Sequence, residues 1–295
     1  MSQSATVNAT AAGSVPDVTI GMPLYNEESF VDAALTALLA QSNRNFEIII
    51  SDNASTDRTA EICHRFVAND PRVRYHRNTV NIGAAANFDK VIHLARGRYF
   101  LWAGGHDLWD DDLLARSVAA LDERQDAVIA GAECVWLDVT GVRMSRRSGF
   151  SDTSGMSSIE RFFTVLWGNM HPILGLIRTD ALTRTSGVQT CMGADLLLLT
   201  ELALRGDFVF VPGTRWYRRE IRPQETYSQM IQRHRSGQYM LTRGLGARFP
   251  LLTLGSRLLG VAWRSGLPLA PRLAMCAGVA ATLPARYFGA RLRRR

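Results

Sequence analysis

Two apolar runs near the start of the chain each end in a cluster of polar residues. The first run begins at Val18 and the second spans Ile48 to Ile50. The clusters consist of Pro23, Tyr25, Asn26 and Glu27 after the first run, and of Asp52 and Asn53 after the second. An aromatic ring can stack on a flat ring, and amide and carboxylate groups can hydrogen-bond to polar atoms. These side chains would suit a polar, ring-bearing ligand such as a nucleotide.

Two acidic positions further along have the chemistry needed for a reaction. Gly105, His106 and Asp107 follow the apolar stretch 99–103, and carboxylate oxygens such as those of Asp107 are the ligands that hard divalent cations prefer. Asp195 precedes another apolar stretch, so its carboxylate could project from the start of a helix. A carboxylate placed close to a hydroxyl group can act as a general base.

A third group, Asn81, Gly83 and Asn87, opens a predicted helix. Glycine allows the backbone to approach a ligand closely. Asn81 could equally serve only as the cap of that helix, and the two roles are compatible.

The elements that position these residues can be predicted from the hydrophobic pattern. Between the two clusters, one helical face carries Phe30, Val31, Ala34, Leu35, Leu38 and Leu39. Two strands joined by a helix form a βαβ unit, which binds ligands at the carboxyl ends of its strands. Strands and helices alternate up to a last predicted strand at 208–211, so we expect an α/β fold with a mostly parallel sheet. The first strand is not followed by the G-x-G-x-x-G pattern of a dinucleotide site.

Several of these motifs resemble those of one known family. P-L-Y-N-E at 23–27, S-D-N-A-S-T-D at 51–57 and N-I-G-A-A-A-N at 81–87 resemble elements of family 2 glycosyltransferases of the GT-A fold. The resemblance implies a Rossmann-like, mostly parallel sheet flanked by helices over residues 16–225. We expect a disordered tail at 1–15 and a basic helical C-terminal region at 226–295.

The resemblance also implies roles for the residues at the strand ends. The nucleotide pocket would be formed by Pro23, Tyr25, Asn26, Glu27, Asp52, Asn53, Asn81, Gly83 and Asn87. Within it, the Asp52 carboxylate would accept a hydrogen bond from a base N–H. Asp195 occupies the position of the family's catalytic base, although it could instead be a plain helix cap.

The chain departs from the family at the D-x-D motif, which binds a divalent cation and the donor diphosphate. Its first acidic position is Gly105 and its second is Asp107. The resemblance therefore implies Mg²⁺ or Mn²⁺ on Asp107, with the metal not strictly required. Gly105 and His106 would lie beside the donor, His106 either as a weak second contact or as a structural histidine. Arg222, expected to follow the last strand, would pair with phosphate or join a surface cluster of ion pairs.

Charge is distributed unevenly along the chain. The net charge is +7, but residues 229–295 contain twelve arginines and no Asp, Glu or Lys, which leaves −5 for the rest. No apolar window there is long enough to span a bilayer, so we expect either arginine-bearing helices on an anionic membrane or helices packed on the core. Nucleic acid is disfavoured because regular aromatic interleaving is missing.

Composition and the N-terminus narrow the class further. None of the four cysteines has C-x-x-C spacing, which argues against a zinc site or a disulfide framework. The N-terminal stretch lacks an apolar segment typical of a signal peptide, so we expect a cytoplasmic protein, peripheral at the inner face of the plasma membrane if the basic region binds lipid.

These observations together favour a glycosyltransferase that moves a sugar from a nucleotide-sugar to a glycan or lipid-linked acceptor with inversion. Two alternatives stay open. One is a catalytically inactive nucleotide-sugar binding module, because a D-x-D carboxylate is missing. The other is a nucleotidyltransferase, although the loop after the first strand lacks the Gly-rich, basic pattern usual in that class.

Overall fold

The computed structural model describes residues 15–146, 150, 152–169, 171–221 and 249–292. Most of the predicted N-terminal tail and Arg222 lie outside these residues, as does the proposed boundary at 225. Eight described strands form one sheet: β1 (Val18–Leu24), β2 (Phe46–Asp52), β3 (Val73–Arg77), β4 (Tyr99–Trp102), β5 (Leu108–Trp109), β6 (Ala127–Leu137), β7 (Leu176–Arg178) and β8 (Asp207–Arg219).

Helices cover the sheet and extend it at the C-terminal side. In the described part of the chain these are α1 (Val31–Leu39), α2 (Thr59–Asn69), α3 (Ala84–His93), α4 (Leu113–Glu123), α5 (Ser158–Trp167), α6 (Thr179–Thr183), α7 (Ala194–Ala203), α8 (Pro250–Trp263) and α9 (Leu269–Leu292). A single 3₁₀ turn, His171–Leu174, precedes β7.

The strand order is β3-β2-β1-β4-β7-β6-β8-β5. The pairs β3–β2, β2–β1, β1–β4 and β6–β8 are parallel, whereas β7 is antiparallel to both of its neighbours and β5 to β8. The predicted α/β class and mostly parallel sheet are therefore confirmed. Because β7 reverses direction between β4 and β6, the strands β1, β2, β4, β6 and β8 all end at the same edge of the sheet.

Burial explains why the first βαβ unit was readable from sequence. Every residue of β2 is buried, and β1 is buried apart from Pro23. Strands covered on both faces read as continuous apolar runs. The buried stripe of α1 consists of Val31, Ala34, Leu35 and Leu38, the spacing expected for one helical face.

The end of the sheet differs from the sequence prediction. The last strand was expected at 208–211, but β8 continues to Arg219, so Arg218 lies within the strand and not after it. Pro212 and Gly213 normally mark the end of a strand. Here they coincide with a shift in the register of β6 against β8, which absorbs them and lets pairing resume at Arg215.

The two C-terminal helices pack against α5 and α7. Leu254 and Leu258 of α8 and Met275 of α9 join a buried apolar cluster with Phe162 of α5 and Leu196 of α7. Packing on the core, one of the two arrangements considered for this region, is therefore observed for α8 and the first part of α9. No described helix has the length and apolar character needed to cross a bilayer.

Candidate active site

A cleft of about 1020 Å³ lies at the edge where β1, β2, β4, β6 and β8 end. Parallel strands place their following loops side by side, so residues distant in sequence meet there. The lining divides into a side built from β1, β2 and α3 and a side built from β6 and β8. Between them lies the loop after β4, which carries Gly104 to Asp107.

Most of the predicted site residues lie in the lining of this cleft. They are Pro23, Tyr25, Asn26, Glu27, Asn53, Asn81, Asn87, Gly105, His106 and Asp107. Asp52, Gly83 and Asp195 lie outside the lining. Asp52 and Gly83 are next in sequence to the lining residues Asn53 and Ala84, and Asp195 interacts electrostatically with Arg218. The structure thus brings together ten of the positions that sequence reasoning selected, across a separation of more than 80 residues.

The first loop is held in a shape that an ordinary backbone would avoid. Asn26 has φ of 54°, in the left-handed region that Asn tolerates better than most residues. Its side-chain Oδ1 accepts a hydrogen bond from the Thr56 N–H at 2.9 Å, and its own N–H donates to Ser55 Oγ at 3.0 Å. The loops after β1 and β2 are therefore tied to each other, which keeps Tyr25 at the cleft wall.

A network of asparagine amides forms the floor of the cleft on the side built from β1, β2 and α3. Asn53 Nδ2 donates to Asn81 Oδ1 at 2.8 Å, and Asn53 Oδ1 accepts from Asn78 Nδ2 at 3.0 Å. Asn78 also donates to Asn87 Oδ1 at 3.1 Å, and Lys90 Nζ donates to Asn78 Oδ1 at 2.6 Å. Sequence reasoning missed Asn78, which stands alone after β3 and belongs to no motif that would reveal it.

Gly83 supports this floor from below the surface. Its φ of 85° is favourable only for glycine, and its N–H donates to Asn81 Oδ1 at 2.9 Å. This geometry turns the chain into α3 and fixes the side chain of Asn81. Gly83 is the residue directly before α3, whereas Asn81 stands two residues earlier and bonds into the loop.

Asp52 is the last residue of β2, and its role as a contact to a base N–H stays a prediction. It is fully buried, and its carboxylate accepts hydrogen bonds from Ser55 N–H at 2.8 Å, Tyr75 Oη–H at 2.5 Å and Arg77 at 2.6 Å. These contacts brace the loop after β2 from beneath, and the neighbouring Asn53 faces the cleft instead. Three protein donors thus already bond to the carboxylate that is predicted to accept a base N–H.

The altered D-x-D position has a steric cause. Gly105 is buried, and a Cβ atom there would lie 2.7 Å from Leu24 Cδ2 and 2.9 Å from Glu27 Cγ. The Glu27 side chain therefore occupies the space in which an aspartate at 105 would begin. The Glu27 carboxylate lies 3.1 Å from His106 Nδ1, so the first loop itself delivers a carboxylate close to the missing one.

His106 lies between two acidic groups. Burial alone would lower the pKa of His106, but the hydrogen bond to Glu27 and the nearby Asp107 carboxylate outweigh it, so the pKa of His106 is raised. Burial raises the pKa of Asp107, and the positive charges of His106 and Arg218 oppose that effect. One oxygen of Asp107 also accepts the Arg219 N–H at 3.1 Å.

The donors for a divalent cation are few. Among the described residues, no three Asp, Glu, His or Cys side chains are arranged to hold a metal ion. Asp107 remains the acidic group of the D-x-D position that reaches the cleft lining. This donor set fits a divalent cation only when a bound ligand supplies most of the coordination, as the oxygens of a diphosphate can.

The opposite wall of the cleft is cationic and aromatic, and sequence reasoning did not assemble it. Trp136, Arg146, Arg218 and Arg219 all line the cleft. The contact between the Arg218 guanidinium and the Trp136 ring could not be predicted from sequence, because it depends on the pairing of β6 with β8. The register pairs Trp136 with Arg218 directly across the two strands.

Asp195 lies in the first turn of α7, whose cap is Gly193 in the left-handed conformation. The alternative role of Asp195 as the helix cap is therefore not what the structure has. Its side chain is exposed and lies outside the lining of the cleft. Desolvation by the surrounding protein raises the pKa of Asp195, and the Arg218 charge opposes the rise. Arg218 is thus close enough to influence both Asp195 and Asp107.

The chain belongs to glycosyl transferase family 2, whose family model matches residues 19–183. This range contains the two opening loops, the amide network and the altered D-x-D position. Membership places the chain among glycosyltransferases, and the resemblance inferred from the motifs is confirmed. Asp195 and β8 lie beyond the matched range.

Known proteins agree with this assignment. The putative glycosyltransferase EpsE of Bacillus subtilis is 31% identical over 132 residues, which are 44% of this chain and 48% of EpsE. The matched segment thus spans about half of the length of that relative.

Solved structures share the fold at low sequence identity. S. aureus TarS 1-349 in complex with UDP-GlcNAc has a TM-score of 0.66 and 15% identity, over 92% of this chain and 73% of that chain. The mannosyltransferase PcManGT from Pyrobaculum calidifontis, in complex with GDP-Man and Mn²⁺, has a TM-score of 0.54 and 20% identity, over 94% and 84%. These likenesses support the GT-A fold.

Proposed function

We propose that this protein transfers a sugar from a nucleotide-sugar donor to a hydroxyl group of a glycan or lipid-linked acceptor, with inversion at the anomeric carbon. One observation carries the proposal. The cleft combines an amide-lined wall suited to a nucleoside with an acidic and cationic centre suited to a diphosphate, and Arg218 in its lining acts electrostatically on the nearby carboxylate of Asp195. The solved relatives TarS and PcManGT bind UDP-GlcNAc and GDP-Man in the same fold.

On the nucleotide side, Tyr25 would stack on the base or ribose, while Asn53 and Asn81 would direct amide groups to its polar edge. Asn87, Asn78 and Ser51 hold those amides in place, since Asn87 Oδ1 accepts from Ser51 Oγ at 2.7 Å. A floor whose amides are already bonded to one another loses little side-chain freedom when ligand binds. The base that this wall prefers would follow from the amide N–H groups that these contacts leave unused.

On the reaction side, Asp195 would accept the proton of the acceptor hydroxyl as its oxygen attacks the anomeric carbon from the face opposite the diphosphate. A raised pKa suits this role, because a base works best when its pKa is not far below the working pH. The Arg218 charge favours the ionised form of this carboxylate.

Asp107 would hold Mg²⁺ or Mn²⁺ together with the donor diphosphate, and the bound cation would neutralise charge on the leaving group. PcManGT, which shares the fold, binds GDP-Man with Mn²⁺. Because only one D-x-D carboxylate remains, we propose that the cation assists and is not strictly required. Arg222 stays a proposed phosphate contact outside the described residues.

We also propose that the protein works at the anionic inner face of the plasma membrane. In the part of α9 whose side chains are described, residues 269–283, the exposed residues are all alanine or leucine: Leu269, Ala270, Leu273, Ala274, Ala277, Ala280 and Ala281. Trp263, half exposed, extends this face, and the Arg272 guanidinium lies 5.2 Å from its ring centroid. An apolar face flanked by arginines, in a segment without acidic residues, suits anionic lipid better than water.

Liposome binding tests the membrane proposal without removing helices that the core needs. Replacing both Leu269 and Leu273 with Glu should release the protein from vesicles containing anionic lipid, and binding of the wild type should weaken as salt rises. The matched control makes the same change at Val139 and Val142, which are exposed elsewhere. Equal binding by both double variants, or salt-insensitive binding, would remove the membrane proposal.

A donor screen tests the transferase proposal. Thermal-shift measurements with UDP-, GDP- and dTDP-sugars should show stabilisation by one nucleotide class, since a ligand that binds only the folded state raises its stability. Turnover of that donor with a hydroxyl acceptor would separate a transferase from an inactive binding module. Release of pyrophosphate from a nucleoside triphosphate and a sugar phosphate would instead identify a nucleotidyltransferase.

A further inference from the structure

The wall of the cleft formed by β6 and β8 carries two guanidinium groups on one indole ring. The Arg146 guanidinium carbon lies 3.8 Å from the centroid of the Trp136 ring, and that of Arg218 lies 5.0 Å from it. Strand register fixes the second contact, because Trp136 and Arg218 are direct partners. The Arg146 contact arises because the chain after β6 turns back alongside that strand. There the Met144 N–H donates to the Trp136 carbonyl at 2.8 Å.

Hydrogen-bond donors of the Trp136 and Arg218 side chains are left unused in the described structure. Among the described residues, the Arg218 side chain makes no hydrogen bond and no ion pair, whereas the Arg146 side chain pairs with Glu220 at 3.1 Å. Trp136 is buried, yet its indole Nε1 lacks a hydrogen-bond partner in the described structure. A buried donor without an acceptor is rare and costly, so Trp136 Nε1 beside the unbonded Arg218 guanidinium points to an acceptor that arrives from outside.

Neighbouring groups do not compete for that acceptor. Arg219 has already donated to the carbonyl oxygens of Val139 at 3.1 Å and His106 at 3.3 Å. His171, which stacks on Trp136, has its pKa lowered to about 4 by burial and by Arg218 and Arg146, so it is neutral near pH 7. The guanidinium groups of this wall that are not hydrogen-bonded to backbone carbonyls in the described structure are therefore those of Arg218 and Arg146.

We propose that Arg218 and Arg146, held on Trp136, form a phosphate-binding site that stabilises the charge of the departing diphosphate. This inference rests on the proposed function. Its position is right for the purpose, because Arg218 acts on both Asp107, at the D-x-D loop, and Asp195, the proposed base. A planar guanidinium binds phosphate oxygens through two parallel hydrogen bonds, and stacking on an aromatic ring preorganises it.

The site accounts for the loss of the first D-x-D carboxylate. With Gly105 in place of an acid and the Glu27 carboxylate bonded to His106, the described centre of the cleft holds few free ligands for a cation. A fixed guanidinium supplies positive charge that does not depend on a metal. During transfer, the bond from the anomeric carbon to the diphosphate oxygen breaks and its electron pair stays on that oxygen beside Arg218. The acceptor oxygen bonds to the carbon, and its proton passes to Asp195.

Phosphate could reach this site from two sources, the donor diphosphate or the phosphate of a lipid-linked acceptor. Calorimetry with UDP, GDP, the matching nucleosides and farnesyl phosphate distinguishes them, each with and without EDTA. We expect Arg218→Ala to weaken the preferred nucleoside diphosphate by about 10- to 100-fold, the range for a hydrogen bond to a charged group, and to leave the nucleoside unchanged. The loss should be larger in EDTA, and Arg218→Lys should lie between wild type and alanine.

Matched variants keep the test interpretable. Arg44→Ala removes the same charge from an exposed position outside the cleft and should bind like wild type. If Arg218→Ala does not fold, judged by its melting curve, Arg146→Ala and Arg218→Lys carry the same comparison. Loss of farnesyl phosphate binding alone would assign the site to the acceptor phosphate.

Different results would overturn the phosphate site and the proposed transferase function. Wild-type affinities for every phosphate probe in the Arg218 and Arg146 variants, with and without EDTA, would overturn the phosphate site. If the wild type itself binds neither nucleoside diphosphate, the proposed function fails instead.

Discussion

Replacing Asp52 with alanine separates two roles for this residue, a contact with the nucleotide base and a brace for the loop after β2. In the structure the carboxylate is fully buried and accepts hydrogen bonds from Ser55, Tyr75 and Arg77. If the brace is its main role, Asp52→Ala should lower the free energy of unfolding far more than it lowers nucleotide affinity.

The size of the effect follows from what each donor loses. A hydrogen bond to a charged group contributes about 1.5–3 kcal/mol, and an unsatisfied buried donor costs about 1–3 kcal/mol. The Arg77 side chain is 44% exposed, so water replaces much of what it loses. The Ser55 N–H and the Tyr75 hydroxyl are more enclosed. Because the three contacts share one carboxylate and are not additive, we expect a loss of about 3 kcal/mol, or about 6 °C in Tm for a chain of this size.

Urea unfolding and calorimetry with the preferred nucleoside diphosphate measure the two quantities on the same protein. Glu61→Ala is the matched control, since Glu61 pairs with Arg58 at 2.8 Å but both side chains are more than half exposed. Such a pair contributes about 0–1 kcal/mol. Affinity of Asp52→Ala should fall less than about tenfold at temperatures where it is folded. An unchanged Tm with a large loss of affinity would refute the brace and restore a direct base contact.

Three further predictions concern the reaction centre. The transfer rate should rise with pH through an inflection above the ordinary aspartate value of 3.8, because a base must lose its proton and the pKa of Asp195 is raised; an inflection at or below that value in the pH–rate profile would contradict this. Gly105→Asp should reduce stability by about 1–3 kcal/mol without increasing Mn²⁺ affinity, because the new side chain would collide with Leu24 and Glu27; stronger metal binding in a variant of normal stability would be the opposite result. EDTA should lower the wild-type rate without abolishing it, and complete loss restored only by a divalent cation would make the metal obligatory.

Much of the amide-lined side of the cleft could be predicted from sequence because local signals and topology agree there. Apolar runs end in polar loops, and parallel strands must bring those loops to one edge. Asn53 was found this way, whereas Asn81 and Asn87 were found by their resemblance to a motif of the family. Asn78 was not, because a single asparagine after a short strand carries no pattern, and only the pairing of β3 with β2 places it in the network.

The cationic wall required knowledge of long-range pairing. Pro212 and Gly213 read as the end of the last strand, so Arg218 was placed in a following loop. The irregular register of β6 against β8 returned it to the sheet beside Trp136. Similarly, the sequence shows that residue 105 is glycine, but the reason, the presence of Glu27 in the same space, appears only in three dimensions.

The C-terminal region shows a third limit. Its composition predicted helices and positive charge, and left packing and membrane binding as alternatives. The structure shows that one face packs while another, from Leu269 to Ala281, stays exposed. Helical periodicity in an alanine-rich segment does not reveal which face meets the core, because small apolar residues occur on both.

The most direct test of the central claim is nucleoside diphosphate release from the donor panel by the wild type and by Asp195→Asn, measured side by side with donor binding by calorimetry. We expect the wild type to turn over at least one nucleotide-sugar. In Asp195→Asn we expect a rate lower by about 10²-fold or more, with donor affinity nearly unchanged. Failure of the wild type to turn over any donor, or near-normal turnover by Asp195→Asn, would contradict the central claim.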